Sequence, residues 1–221
     1  MMDWFEFIFA FITFFATHSL PLRPPVRSRL TRLLGERGFQ VVYSVLSLAI
    51  LAWLIVAAGR APFVLLWAWS PWQGHATLSI MALACLILAV SIGTPNPFSF
   101  GGARNALYTP QRPGIVRLTR HPLLLALALW SLAHLIVNGD LAHVILFGTF
   151  AAFSALGGRL VDRRRKRELG DSWETLWVET RSQPLGAIRA ALDIRRLALG
   201  VALFLLLLWA HPLVIGVSPL T

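Results

Sequence analysis

The sequence predicts an all-α fold: a polytopic membrane helix bundle of about six transmembrane helices. Three observations predict it. The 221 residues are 57% hydrophobic and only 14% charged, with mean hydropathy +0.68, more apolar material than one soluble core of this length needs. The apolar residues gather into six runs near the length that crosses a bilayer. The basic residues fall almost wholly in alternate connections between those runs.

The first run extends from Trp4 to about Leu20. Asp3 and Glu6 stand where a cleaved leader would carry Lys or Arg, so this segment is expected to be retained. The connection SLPLRPPVRSRLTRLLGERGF begins proline-rich and ends in an Arg/Leu pattern that suits a short amphipathic helix at the membrane surface. The second run is Phe39 to Ala58, and the loop APFVLLWAWSPWQG after it places Trp67, Trp69 and Trp72 where indoles form a headgroup belt. The third run, His75 to Gly93, carries the lone Cys85, which has no partner for a disulfide or a thiolate cluster and reads as packing. A long turn-rich basic loop, TPNPFSFGGARNALYTPQRPG, follows and is a candidate lid or ligand loop.

Pro122 opens the fourth run, Pro122 to Val137, at the position where a first helical turn accepts proline. Only Asn138, Gly139 and Asp140 separate it from the fifth, Leu141 to Leu160, so the two form a tight antiparallel hairpin. The stretch from Asp162 to Arg196 reads as an extension of the fifth helix broken at Gly170, a short helix, and a turn around Gln183–Pro184. Leu197 to Val217 is the sixth run. No repeat, low-complexity tract or linker divides the chain, which is read as a single domain over residues 1–221.

The formal charge of +10 would suit nucleic acid in a soluble protein. Its placement excludes that reading: nineteen of the twenty basic residues lie in connections on one face, and only Arg60 lies on the other. The expected location is a bacterial inner membrane, with the arginine-rich loops cytoplasmic and both termini periplasmic. The Arg163–Arg167 run is read as an interfacial anchor for anionic lipid.

Histidine is where chemistry enters. His134 lies inside an otherwise apolar helix, and an ionisable group at that depth has to be paired, liganded or turned to a cavity. It is either a neutral core histidine bonded to a neighbouring helix or a metal or haem ligand. His121, between Arg120 and Pro122, opens the same helix about 20 Å away, too far to share one ligand. A helix start beside an arginine is a boundary residue, and also a place where an anionic group would be held by free N–H donors. His18 is a helix-end histidine flanked by Thr17 and Ser19; His75, His143 and His211 map to span ends on the other face and read as interfacial. No Ser/His/Asp grouping, paired carboxylates, phosphate-binding glycine loop or HxxxH signature is visible, which leaves hydrolase and NTPase readings without residues.

The phenylalanine-rich first span ending THSLP, the segment GIVRLTRHP…WSLAHL…NGD, and the tail DRRRKRELGDSWETLWVETRSQPLG together resemble the NnrU family. These are membrane proteins associated with denitrification and nitric oxide metabolism, and the resemblance covers about residues 4–190. A relative of that family, the plastid zeta-carotene isomerase, is a haem b protein that moves a cis double bond to trans. The resemblance implies axial ligation by the histidines matching His18 and His134. A cysteine three residues before the second histidine, proposed there as an alternative ligand, is Ser131 in this chain.

More distantly, Gly114, Arg120, His121, Pro122 and Glu168 are similar to the pattern with which isoprenylcysteine carboxyl methyltransferases hold S-adenosylmethionine. Leu123 and Leu124 replace that family's tyrosines. Three functions follow as expectations. The first is a haem b protein of nitric oxide or nitrite metabolism, or a polyene isomerase acting on an apolar small molecule. The second is an S-adenosylmethionine-dependent membrane methyltransferase, and the third a non-enzymatic assembly factor docking respiratory reductase components. The fallback ligand pair for haem is His18 with His121.

Overall fold

Proline and glycine punctuate the chain into helices. The computed structural model describes residues 4–220, and among them no sheet forms; one antiparallel bridge pairs Leu65 with Asp140. The α-helices are α1 (Trp4–Ser19), α2 (Pro24–Arg60), α3 (Pro71–Ser91), α4 (Pro122–Val137), α5 (Leu141–Leu169), α6 (Ser172–Ser182) and α7 (Ile194–Val214). Short 3-10 turns cover Asn105–Leu107, Gly114–Arg117 and Leu185–Ala191. All six expected apolar helices form. The amphipathic segment of the first connection is helical too, and a kink at Gly35, with non-helical φ 70° and ψ 164°, separates it from the apolar part of α2.

Four of these helices, α2, α3, α5 and α7, are long and apolar enough to cross a membrane. The exposed positions explain why: only 6% of the apolar window of α7 and 22% of that of α2 is buried inside the protein. Leucine and valine left open on such helices require a hydrocarbon solvent. Helices α1 and α4 are apolar but have 16 residues each, fewer than the roughly 20 that span a bilayer core.

The residues cluster into two compact units, 1–67 with 139–146, and 68–138 with 147–221. In the first unit α1 packs on α2 through Phe7, Ala10, Leu54, Ala57 and Ala58. Glu6 accepts hydrogen bonds from Trp53 Nε1 (3.2 Å) and Arg60 Nη1 (3.5 Å), so the acid that opens α1 is answered from α2. The amides of Leu66 and Trp67 both donate to the Gly139 carbonyl. Any side chain at Gly139 would strike the Trp67 carbonyl at 1.9 Å, which is why glycine stands there.

In the second unit α3 lies between α4 and α7. Gln73, 5% exposed, reaches back to the Ser70 amide (2.6 Å) to close the start of α3 and donates to the Ile136 carbonyl on α4 (2.8 Å). Thr77 donates to the Ala133 carbonyl one turn on. On the other side Gly200 of α7 approaches the Leu86 backbone so closely that a Cβ would sit at 3.0 Å. Arg196 donates to the Ala89 and Ile92 carbonyls and so closes the end of α3.

The long loop after α3 is no loose lid. Phe98 is fully buried, with its ring edge-on to Tyr108, Trp173 and Trp177 in a core completed by Val90, Ile115 and Val116. The expected break of α5 occurs at Gly170, φ 57°, and Pro184 follows the end of α6.

The Gln73→Leu variant removes the side-chain hydrogen bonds to the Ser70 amide and to the Ile136 carbonyl. The expected loss is about 1–3 kcal/mol of stability, read from reversible unfolding in mixed detergent.

Candidate functional site

The polar residues at the start of α4 converge where sequence spacing could not show it. His121 is the residue that caps α4, and its ring is only 12% exposed. Space for it comes from α5, where a Cβ on Gly158 would stand 3.0 Å from His121 Cδ2. One turn further along α5, Asp162 receives Arg120 in a bidentate pair, Nε to Oδ1 at 3.0 Å and Nη2 to Oδ2 at 2.7 Å. Asp162 Oδ1 also meets His121 Nε2 at 3.1 Å, and His121 Nδ1 lies 3.1 Å from Ser99 Oγ.

The partners assign the tautomer. A carboxylate only accepts, so Nε2–H donates to Asp162 and Nδ1 accepts the Ser99 hydroxyl proton. Burial pushes the His121 pKa below its ordinary 6.5; the Asp162 carboxylate acts in the opposite direction, and Arg120 adds to the lowering.

Supporting contacts hold this centre from the loop after α3, from α5 and from α6. Asn96 Nδ2 donates to the Arg120 carbonyl (3.0 Å), and Asn96 Oδ1 accepts from the Phe98 amide (3.1 Å). Arg165 donates to the Ser99 carbonyl (2.8 Å) while its other nitrogen pairs with Glu168 (2.7 Å). The Arg120 guanidinium lies over the rings of Trp177 (4.5 Å) and Trp173 (5.3 Å) of α6.

A Ser/His/Asp line therefore exists although the sequence shows no such grouping, because its members come from a loop, a helix cap and a helix 22 and 41 residues apart. It does not support hydrolysis. Ser99 is 1% exposed and Asp162 is committed to Arg120, so no accessible nucleophile is activated. The arrangement suits rigid presentation of a neutral imidazole and a stacked guanidinium at the edge of an open cleft of about 430 Å³, lined by Leu118, Thr119, Arg120, His121, Trp177 and Arg181.

The other expected site residues are placed as follows. His134 is in the last turn of α4, its Nδ1 2.9 Å from the Trp130 carbonyl and its ring between Trp130 (5.1 Å) and Phe147 (4.9 Å). The His211 ring of α7 lies 6.5 Å away and 29° from parallel, with Nδ1 2.6 Å from the Val217 carbonyl. His18, in the first unit, has Nδ1 2.8 Å from the Phe14 carbonyl and its ring stacked 3.9 Å from that of Phe14. His121 and His134 belong to the second unit, as does Ser131, which is fully buried and returns its hydroxyl to Leu127 O (2.8 Å). Glu168 pairs with Arg164 and Arg165 outside the cleft lining. His143 pairs with Asp140 at 2.7 Å in the first unit.

Sequence reasoning missed Asp162, Ser99, Asn96 and Arg181. A signal existed for Asp162 alone: it is the acid at the point where the apolar run of α5 gives way to Arg163–Arg167.

The family model described as NnrU protein matches residues 6–219, and the chain belongs to that family. It matches no curated protein and no solved structure.

Two outcomes are expected. Glycine to alanine in an open helix gains up to about 1 kcal/mol, but Gly158→Ala drives a methyl into His121 and is expected to destabilise by about 1–3 kcal/mol, visible as a lowered melting temperature in detergent. The second concerns pH. The folded-state pKa of His121 lies below the unfolded one, so the unfolded chain binds the extra proton. Its contribution is complete above about pH 6.5 and is lost as pH falls through the folded value. Stability measured from about pH 7 down to about pH 5 should fall more steeply in the wild type than in His121→Gln.

Proposed function

We propose that this NnrU-family membrane protein binds haem b, which His134 would help to hold, and serves nitric oxide or nitrite metabolism in a bacterial inner membrane. The observation that carries the reading is the anchoring of the imidazoles. His134 donates Nδ1–H to the carbonyl four residues back, which fixes the ring and would make Nε2 the nitrogen offered to an iron. His18 is anchored in the same way to Phe14. Such a carbonyl fixes the ring and raises the basicity of the ligating nitrogen. Aromatic neighbours, Trp130 and Phe147 at His134 and Phe14 at His18, offer the apolar wall a porphyrin face requires. The donor chemistry of these residues therefore fits the group. Haem when bound supplies the electron and diatomic-ligand chemistry, and the protein supplies ligation, orientation and exclusion of water.

Two histidines are candidates for a second residue that would hold the group. His18 is the one implied by the resemblance to the isomerase; His211 is the one whose ring stands 6.5 Å from that of His134. Of the two reactions the resemblance implies, chemistry at the iron alone is favoured. Ser131 has no thiolate to exchange onto iron, and its hydroxyl is bonded to Leu127 O, so an isomerisation driven by ligand exchange lacks its second ligand. The charge pattern supports an orientation with the arginine-rich connections cytoplasmic and both termini periplasmic.

The visible spectrum of the purified full chain tests this. The expected result is a Soret band that shifts on reduction by dithionite, is lost in His134→Ala, and changes spin state in His18→Ala or in His211→Ala but not both. A preparation reconstituted with haem that shows no band, or a band indifferent to His134→Ala, overturns the reading.

A further inference from the structure

The cleft beside His121 has more positive charge than the protein answers. Asp162 is the carboxylate bonded to its lining, and it is already paired with Arg120 and His121. Arg181 has no carboxylate within 4.0 Å among the described residues, and neither has Arg117, whose Nε donates instead to the Gln183 carbonyl at 2.6 Å. Two guanidiniums, those of Arg120 and Arg181, lie against the one ring of Trp177, at 4.5 and 5.6 Å from its centre. The charge of Arg120 is answered by Asp162, so Arg181 is the cation beside this ring that is left to water or to an anion.

The depth of the cleft narrows the class of anion. Its lining comes from the residues just before α4 enters its apolar stretch and from α6, which follows the Arg163–Arg167 run at the end of α5. Helices turn from leucine to arginine at headgroup level. Leu118, 53% exposed, gives the cleft an apolar lip beside its cationic wall, the pairing an amphiphile presents in reverse. Planar guanidinium forks match phosphate oxygens two at a time.

We propose that the Arg120–Arg181–Trp177 cleft binds a phosphate group, with Arg181 as the principal free cation and Arg120, fixed by Asp162, as the orienting one. The group is carried either by an anionic phospholipid or by a soluble phosphate compound. This goes beyond the haem reading and uses none of its ligands, so either can fail alone.

The full chain is placed in nanodiscs of phosphatidylcholine mixed with phosphatidylglycerol, released, and analysed by native mass spectrometry for retained lipid. In parallel, nanodiscs of phosphatidylcholine alone are titrated with inorganic phosphate and followed by phosphorus NMR line broadening. Retention of phosphatidylglycerol over phosphatidylcholine, without phosphate binding, assigns the lipid source. Phosphate binding without lipid retention assigns a soluble ligand, and both together a site that takes either. In each case Arg181→Gln is expected to weaken binding about tenfold or more. Arg181→Lys should recover part of it, and Arg163→Gln, which removes the same charge from an exposed position on α5, should change little. Absence of both signals overturns the proposal. So does equal loss in Arg163→Gln and Arg181→Gln, which would reduce the effect to net charge. Should Arg181→Gln not fold, Arg181→Met, which keeps an unbranched side chain and removes the charge, is read by the same two measurements against Arg163→Gln, and unchanged binding overturns the proposal.

Discussion

Asp162 is the acceptor on which the second unit's polar end depends. One carboxylate on α5 orders the residue that caps α4, through His121, and the arginine before it, through a two-pronged pair. Arg120 is thereby fixed against the tryptophans of α6, and Ser99 is tied to the same imidazole. The loop after α3, the start of α4, the end of α5 and α6 thus meet around the Arg120–Asp162 pair, whose two charges neutralise each other. Removing the acid would leave a half-buried guanidinium and a half-buried imidazole facing each other, which is costlier than losing any single hydrogen bond.

The same constraint governs the apolar helices in a quieter form. Hydrocarbon offers no partner to a hydroxyl, amide or imidazole, so each must be satisfied from within. Ser131, Ser154 and His134 each bond a carbonyl four residues back on their own helix, whereas Gln73 and Thr77 bond across to α4. The first kind of bond orients a side chain on its own helix; the second joins two helices.

Much of the fold was legible because its signals are local. Runs of leucine, alanine and phenylalanine mark the six apolar helices, Pro122 marks the start of α4, and Gly170 marks the break between α5 and α6. The kink at Gly35 was harder to place, since a glycine among arginines and leucines marks its position less plainly than a proline would. Span length was the other difficulty: α1 and α4 stop after 16 residues, and composition alone does not distinguish a short apolar helix from a crossing one.

The site was legible only in its local half. Arg120, His121 and Pro122 are adjacent, and their sequence showed a helix start beside a cation. Asp162, Ser99 and Arg181 come from positions 20 to 60 residues away, and no periodicity links them. Phe98 was hidden for the same reason, a core residue inside a loop rich in glycine and proline.

A double-mutant cycle on Arg120→Gln and Asp162→Asn, read by equilibrium unfolding of the full chain, tests the dependence on that carboxylate most directly. The account predicts that the two losses are strongly non-additive, with a coupling of about 1.5–3 kcal/mol. Additivity within about 0.5 kcal/mol would show that the pair is a surface contact of no consequence and would contradict it.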